Sequence, residues 1–312
     1  MEIPEVIRGI FGPVFSLQPE EALAMQALEQ RSPAWLAARV NRLTASNFGS
    51  ATGLNPYCKP EDLLVQLLYK SFEGNEATAY GTKYESVACE QYVASIGDDI
   101  IYGHGAAEPP KWRDSGLSIN PRWPFLGASP DGIMTTQAFS SIVPVNYRCA
   151  VAPEHGLQQT IFDPARGLVS MPSWSPPTTL SGPHEYLLEI KCPFRKRLYG
   201  PIPPYYYAQI QGCMQILDLP YTHFYVWTPN KASIDCFPKN QGFWDSVLLP
   251  RLTAFYFDRY VPAVVMQSLE LLDTSDRFGP NPDWLKPKDS VSPELVATIY
   301  EEARSFRAQC GF

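Results

Sequence analysis

The sequence predicts an α/β fold in which a mixed central sheet is flanked by helices. The predicted elements follow the order helices, strands, helix, strands and helices, an alternation typical of layered α/β architectures. Hydrophobic residues make up 45% of the 312 residues, which is enough for a sizeable core. No run approaches the roughly 18 consecutive apolar residues of a membrane-spanning helix, so we expect no membrane partner.

Helical patterns come first along the chain. Ser32 and Pro33 form a typical helix start, with Ser32 as the N-cap and good helix formers in residues 34–41. A second helix is predicted to begin at residues 59–61, because leucines at helical spacing follow there. A longer helical stretch spans about residues 75–96.

Strands follow in the middle of the chain, where short apolar runs are bounded by turn residues. They are predicted near residues 99–102, 117–120, 125–129 and 132–135. Residues 137–183 then differ in composition, because they are rich in proline, serine and threonine and show little periodicity. We interpret this segment as an irregular insertion within a single domain that covers residues 1–312.

The second half of the chain contains a helix, the two strands of a hairpin and two further helices. These elements are predicted at about residues 204–217, 221–228, 233–237, 241–272 and 293–309. We expect Pro250 and Pro262 to interrupt the penultimate helix, since proline removes a backbone donor. Residues 229–312 form a C-terminal extension to which the sequence assigns no function.

Charge and cysteine content argue against several classes of protein. The net charge of −7 argues against a surface coated in DNA-binding basic residues, although basic side chains cluster within residues 31–42 and 191–197. Seven cysteines without a C-x-x-C pair indicate reduced thiols, and four histidines give a zinc site little support. The first residues lack the pattern of a signal peptide, so we expect an intracellular protein, without preference between the nucleus and cytoplasm of a host cell.

The run L-L-E-I-K-C-P at residues 187–193 is the strongest chemical signal. Alternation along this predicted strand puts Glu189 and Lys191 on one face, about 6–7 Å apart. Asp131, in a Pro-Asp-Gly turn, supplies a second carboxylate if its strand lies alongside. Two acids, one lysine and a hard cation form a site that cleaves phosphodiesters. The alternative is a solvated strand face, on which E-x-K is common.

A second constellation combines an arginine with hydroxyl groups. Arg39 lies toward the end of a predicted helix, and Thr44 and Ser46 lie where the next helix is expected to begin. A guanidinium, hydroxyls and free backbone N–H groups at a helix start form an anion pocket that suits phosphate. The alternative is that Thr44 or Ser46 caps the helix while Arg39 forms a surface ion pair.

Two helices offer further candidates for the same site. Glu85 could face bound metal ions from the inner side of its helix, or it could be solvated like most helical glutamates; Glu90 is the less favoured neighbour. Gln209 and Gln211 are about 200° apart on a helix, so they cannot both face the strand. The inward glutamine could bind the attacking water or a phosphate oxygen, and periodicity does not choose between the two.

These motifs occur in one order: W-x3-R-x4-T-A-S, G-x-x-Y-E, S-P-D-G, L-E-I-K-C-P and Y-x-A-Q-x-Q. Over about residues 30–228, the series resembles the lambda exonuclease and YqaJ-like viral recombinase family, a branch of the PD-(D/E)xK nuclease fold. The resemblance implies a PD-(D/E)xK nuclease-like core. It also implies Mg²⁺-dependent 5′-to-3′ digestion of linear double-stranded DNA, with Mn²⁺ as a substitute, which releases 5′ mononucleotides and leaves 3′ single strands.

The resemblance assigns metal-binding and catalytic roles along the predicted strands. Asp131 and Glu189 are similar to the family's principal metal ligands, and the carbonyl of Ile190 is implied as a further ligand. Lys191 is similar to the residue that orients or activates the attacking water. We therefore expect a metal-dependent deoxyribonuclease.

The resemblance also assigns roles on the helices. Glu85 is similar to the family's helix glutamate near the metals, and the resemblance alone selects Gln209 over Gln211. Arg39 and Ser46 match the pocket that grips a 5′-phosphate, and that pocket gives such enzymes their polarity. We therefore expect the protein to need a DNA end.

The resemblance implies partners as well as a substrate. The family acts on double-stranded DNA with a free end, in recombination or viral DNA processing, with a single-strand annealing protein and as a ring-shaped homotrimer.

Two alternatives stay open: a PD-(D/E)xK endonuclease that cuts circular DNA, and an inactive nuclease fold kept as a DNA-binding recombination scaffold. One departure from the family is the long segment between Asp131 and Glu189, which the family replaces by a short hairpin.

Overall fold

The computed structural model describes residues 2–69, 74–97, 111–136, 147–148, 159–163, 167–171, 184–273 and 285–312. Within these ranges, six helices precede the central sheet: α1 (Ile3–Phe15), α2 (Pro19–Met25), α3 (Pro33–Ala38), α4 (Phe48–Ala51), α5 (Pro60–Tyr69) and α6 (Glu76–Gly97). A short strand, β1 (Leu43–Thr44), and a 3-10 turn (Ala45–Asn47) connect α3 to α4. Across the described ranges, no helix has the length and apolar content that a membrane crossing requires.

The central sheet contains six strands in the described residues. Their spatial order is β2 (Lys111–Arg113), β4 (Gly132–Thr136), β8 (His184–Lys191), β9 (Tyr221–Thr228), β10 (Lys231–Pro238) and β5 (Tyr147–Arg148). Strands β8 and β9 are parallel, whereas the other neighbouring pairs are antiparallel. The sheet is therefore mixed, as predicted. Outside it, β1 pairs with β3 (Leu126–Gly127), and β6 (Gln159–Asp163) pairs with β7 (Gly167–Met171).

Helices cover both faces of this sheet. Helix α7 (Pro204–Leu217) packs on one face, in the same hydrophobic cluster as Leu187 of β8. Leu188 and Ile190 point to the other face, where they cluster with Ala88 and Tyr92 of α6. Strand β8 is therefore buried on both faces, and the predicted α/β fold class is confirmed.

The C-terminal helices extend the α7 layer. They are α8 (Gln241–Phe243), α9 (Leu249–Phe255), α10 (Val261–Ser268) and α11 (Pro293–Gln309). Two π-helical segments, Trp244–Leu248 and Tyr256–Tyr260, join the first three of these without a break. Pro250 and Pro262 each lie at the first turn after a π segment, and the helix continues through both. The predicted interruptions are therefore wrong.

Other predicted elements also differ from the structure. The insertion is not wholly irregular, because β5, β6 and β7 lie within residues 137–183. Around residues 117–120, the described backbone forms only an isolated bridge between Ser118 and Ala128. The strand predicted at residues 99–102 lies outside the described residues. Helix α1 has no predicted counterpart, since Gly9, Gly12 and Pro13 obscure its helical pattern.

Two glycines bring α4 against the start of α7. A Cβ atom on Gly212 would overlap the ring of Phe48, and one on Gly49 would overlap Tyr205. Only glycine therefore allows these two helices to approach so closely. The contact places the 3-10 turn that follows Thr44 next to α7, the helix that bears both candidate glutamines.

Candidate active site

The two acids predicted to share a site are neighbours across β4 and β8. Gly132 pairs with Leu188 in the antiparallel register, so Asp131 lies opposite Glu189 at the end of the ladder. The backbone N–H of Ile190 donates to Oδ2 of Asp131 over 2.6 Å. The register thus brings the carboxylates together although a long insertion separates them in sequence.

Glu189 is almost fully buried and only half satisfied. Its side chain is 1% exposed, on the face of β8 that α7 covers. Oε1 accepts a 2.6 Å hydrogen bond from Nε2 of Gln209 and pairs with the ammonium of Lys191. Oε2 is buried and has no hydrogen-bond partner among the described residues. Leaving a buried carboxylate oxygen without a partner costs free energy. Oε2 is therefore suited to bind a cation or a hydrogen-bond donor.

The site's electrostatics follow from burial. Burial raises the pKa of Asp131, and the nearby Lys191 ammonium offsets part of that rise. Burial also raises the pKa of Glu189 to about 7, against the opposing effect of Lys191. For Lys191, burial lowers the pKa, but the two carboxylates outweigh burial and leave it raised. Lys191 is therefore held as an ammonium, and the paired acids favour additional positive charge.

The donor atoms present suit a hard divalent cation. In the described ranges, no three histidine, cysteine, aspartate or glutamate side chains converge on one point. A cation here would accordingly bind Asp131, Glu189 and a backbone carbonyl such as that of Ile190. Mg²⁺ is commonly held by one or two carboxylates with waters and substrate phosphate completing its octahedron, so this small donor set fits it. The unpartnered Oε2 of Glu189 gives such an ion an available ligand.

The two candidate glutamines of α7 lie on different sides of the helix. Gln209 donates to Glu189, as described above. Gln211 instead donates to the carbonyl of Pro238 over 2.8 Å and accepts from the backbone N–H of Asn240 over 2.7 Å. Gln211 therefore ties α7 to the end of β10, and Gln209 is the glutamine that faces β8.

Tyr206 and Glu85 border the acids and the lysine. The ammonium of Lys191 lies 4.9 Å from the centroid of the Tyr206 ring. Glu85 on α6 pairs with Arg31 at 3.3 Å and keeps 40% of its side chain exposed. Burial raises the pKa of Glu85, and the charge of Asp131 raises it further. Glu85 thus lies at the rim of the site, where it accepts a hydrogen bond from Arg31.

Arg39 forms a half-buried pocket with two hydroxyl groups. Its guanidinium lies over the Trp35 ring, 3.9 Å from the centroid, and its Nη2 donates to Oγ1 of Thr44 over 3.1 Å. The hydroxyl of Ser46 lies 3.5 Å from that of Thr44. Burial lowers the pKa of Arg39 to about 10.

This geometry does not match the alternative in which a hydroxyl caps the following helix and Arg39 forms a surface ion pair. The Thr44 side chain makes no capping hydrogen bond to the 3-10 turn that follows it. Arg39 has no ion pair with any described acid. A desolvated guanidinium without an acidic partner, beside two hydroxyls, has the chemistry of an anion-binding pocket.

The Arg39 pocket is linked by hydrogen bonds to the turn that bears Asp131. Nε1 of Trp35 donates to Oγ of Ser129 over 3.1 Å. Gln30 donates from Nε2 to the carbonyl of Pro130 over 3.0 Å. Trp35 belongs to a sequence motif, but the motif does not indicate its bond to Ser129. Nothing in the local pattern distinguishes Gln30, because its contact joins distant parts of the chain.

Comparison with known proteins identifies the family. A family model described as the YqaJ-like viral recombinase domain matches residues 34–220. A search of curated proteins finds no match. A crystal structure of an alkaline exonuclease (LHK-Exo) from Laribacter hongkongensis is similar, with 17% identity and a TM-score of 0.45. LHK-Exo in complex with dAMP is also similar, with 16% identity and a TM-score of 0.48. Each alignment covers 77% of this chain and 97% of the other.

The family match covers more than half of the chain, including the Arg39 pocket, the Asp131 turn, β8 and the whole of α7. The resemblance inferred from the order of the sequence motifs is thereby confirmed. This chain belongs to the YqaJ-like viral recombinase domain family.

Proposed function

We propose that this protein is a Mg²⁺-dependent exonuclease that digests linear double-stranded DNA from 5′ to 3′ and releases 5′ mononucleotides. Membership in the recombinase family supports a nuclease role on DNA. The observation that most supports metal-dependent hydrolysis is the buried, unpartnered Oε2 of Glu189, on the residue opposite Asp131. The family alone does not specify the metal, the polarity or the product.

Asp131, Glu189 and the carbonyl of Ile190 would hold the Mg²⁺, with Mn²⁺ as a substitute. When bound, such an ion polarises the scissile phosphate and neutralises the charge that develops on it. Gln209 holds the Glu189 carboxylate in one orientation through its 2.6 Å hydrogen bond. Lys191, kept as an ammonium by the two acids, donates from Nζ to the attacking water and stabilises its hydroxide form.

The Arg39 pocket supplies the preference for a 5′ end. The guanidinium of Arg39 and the hydroxyls of Thr44 and Ser46 bind the terminal 5′-phosphate by charge-assisted hydrogen bonds. The bond from Trp35 to Ser129 keeps this pocket in register with the Asp131 turn. A phosphate bound in the pocket would orient the same strand toward the two acids.

Degradation of DNA with different ends tests the proposal. Linear duplexes with a 5′-phosphate or a 5′-hydroxyl would be incubated with Mg²⁺, Mn²⁺ or a chelator, beside a closed circle. We expect rapid release of mononucleotides from the phosphorylated duplex, an intact circle and no reaction with the chelator. Cutting of the circle would indicate an endonuclease. Absence of cutting with any divalent metal would indicate a DNA-binding scaffold.

An arginine substitution tests the polarity separately. Arg39→Ala should reduce the preference for a 5′-phosphate over a 5′-hydroxyl by about 10- to 100-fold, the value of a charge-assisted hydrogen bond. Arg122→Ala is the matched control, because Arg122 also lies over a tryptophan ring, at 5.3 Å from that of Trp123, but is exposed. Trp123 belongs to the hydrophobic cluster that contains α7. An unchanged preference in Arg39→Ala would refute the pocket assignment.

The proposal includes an assembly and a biological role. We propose that the protein forms a homotrimer around duplex DNA and that its 3′ single strands are received by a single-strand annealing protein in recombination or viral DNA processing. Light scattering with size-exclusion chromatography tests the trimer. A monomeric mass with and without DNA would contradict it, without affecting the hydrolysis proposal.

A further inference from the structure

A run of tyrosine rings leads from the protein surface to Lys191. Tyr57, in the loop between α4 and α5, keeps 83% of its surface exposed. Its ring meets that of Tyr205 edge-on, with centroids 6.1 Å apart, and Tyr205 lies 4.4 Å from Tyr206. The Tyr206 ring in turn faces the Lys191 ammonium. Aromatic surface is therefore continuous from solvent to the catalytic lysine.

The loop that presents Tyr57 is well defined. The backbone N–H of Tyr57 donates to Oδ1 of Asn55 over 3.0 Å, and Nδ2 of Asn55 donates to Oγ of Ser50 over 2.9 Å. The N–H groups of Leu54 and Asn55 both donate to the carbonyl of Gly49. These bonds fix the loop to the end of α4 and leave the Tyr57 ring projecting outward.

Single exposed apolar side chains are ordinary on protein surfaces. Tyr57 differs because its loop is held by side-chain hydrogen bonds and because its ring touches the aromatic run of α7. The same close approach that requires Gly49 sets Tyr205 beside this loop. An ordered, exposed ring at the end of a path to the proposed catalytic lysine indicates a ligand with a flat aromatic face.

We propose that Tyr57 and Tyr205 form a stacking platform for a nucleobase of the DNA strand whose phosphate reaches Lys191. This inference rests on the proposed function, since it identifies the ligand from the phosphodiester chemistry of the adjoining site. Every nucleobase has a π face, so such a platform binds single strands without strong sequence preference. The platform would hold an unpaired base beside the bond that is hydrolysed.

Base stacking can be measured without hydrolysis. The probe is a short single-stranded oligonucleotide with a 5′-phosphate and 2-aminopurine near that end, whose fluorescence falls on stacking. It would be titrated with the full chain in the presence of a chelator. The variants are Tyr57→Ala, which removes the ring, and Tyr57→Phe, which retains it. Tyr300→Ala is the control, because Tyr300 is 37% exposed on α11.

We expect quenching by the wild type, Tyr57→Phe and Tyr300→Ala. Tyr57→Ala should bind at least about fivefold more weakly and lose the quenching, consistent with the loss of one base–aromatic stack. Equal quenching by Tyr57→Ala would overturn the proposal, as would binding of the wild type without quenching or failure of the wild type to bind.

The metal-free readout separates this inference from the proposed function. A wild type that quenches the probe through Tyr57 but cleaves no DNA would support the platform and refute the exonuclease. A wild type that cleaves linear DNA while Tyr57→Ala quenches normally would support the exonuclease and refute the platform. Circular dichroism of Tyr57→Ala checks that the variant is folded, and Tyr57→Leu, which also removes the aromatic ring, replaces it if it is not.

Discussion

The backbone N–H of Ile190 donates to the carboxylate of Asp131 at 2.6 Å, across the two strands that flank the insertion. The bond uses the main chain of the residue between Glu189 and Lys191, so it places Asp131 without occupying either of those side chains. The insertion therefore leaves the strand register at the site intact.

Lys191→Ala should abolish cleavage and leave DNA binding largely intact. The substitution removes the ammonium that pairs with Glu189, and loss of such a group typically lowers catalysis by about 10²–10⁴-fold. Product release from linear duplex and fluorescence anisotropy with labelled DNA measure the two effects. Lys288→Ala, at an exposed position, is the matched control. Wild-type cleavage by Lys191→Ala would show that the active site has been assigned wrongly.

Gln209→Ala and Gln211→Ala should separate catalysis from stability. Gln209→Ala releases the Glu189 carboxylate and should slow cleavage by about 10- to 100-fold, as expected for a residue that orients the proposed metal ligand. Gln211→Ala loses two buried hydrogen bonds and should lower the free energy of unfolding by about 1–3 kcal/mol. Urea unfolding and initial rates distinguish them. The assignment fails if the two variants exchange these effects.

Mg²⁺ should raise the melting temperature of the wild type but not that of Glu189→Gln. A ligand that binds only the folded state at 100 times its Kd adds about 2.7 kcal/mol to stability. The glutamine keeps the shape of Glu189 and removes the charge that a cation needs. Thermal unfolding with and without Mg²⁺ measures the shift, and Glu301→Gln on the exposed face of α11 should respond like the wild type. Equal shifts in all three proteins would argue against a cation at Glu189.

Stability should fall in acid because His223 is buried in its neutral form. Burial lowers the pKa of His223 to about 3, and its Nδ1 lies 2.7 Å from the hydroxyl of Tyr92. Above the unfolded-state pKa of about 6.5 the imidazole is neutral in both states, so stability is unaffected there. As the pH falls from about 6.5 toward 3, only the unfolded chain takes up the proton, and the folded state is progressively disfavoured.

The size of this effect can be isolated with a substitution. Between about pH 7.5 and 5, His223 should reduce the free energy of unfolding by about 2 kcal/mol. His223→Gln cannot take up the proton and should lose less stability over the same interval by that amount. Urea unfolding of both proteins at the two pH values measures the difference. Parallel losses in the two proteins would mean that His223 is not buried as a neutral group.

The sequence predicted the chemistry of the site better than its environment. The strand pattern placed Glu189 and Lys191 on one face, but alternation suggests a solvated face, whereas α7 buries Glu189 almost completely. Helical periodicity could not choose between Gln209 and Gln211, since the choice depends on a contact with the end of β10. Such contacts between distant segments leave no periodic trace in the local sequence.

Predictions for the insertion and the C-terminal helices failed for related reasons. Strands β5, β6 and β7 are short and fall in a proline-rich segment, so the local composition favoured an irregular chain. Pro250 and Pro262 suggested helix breaks, because a proline is incompatible with an ordinary helix interior. The π segments before them accommodate both prolines, and neither segment has a recognisable sequence signal.

The hydrogen bond from Trp35 to Ser129 has a consequence for the length of the product. It joins the Arg39 pocket to the turn that bears Asp131, and the Trp35 ring also lies against the Arg39 guanidinium. Under the proposed function, the separation between the gripped end and the broken bond is then a property of the folded protein. Such a fixed spacing would set the product length, so every round of cleavage would remove the same length of strand.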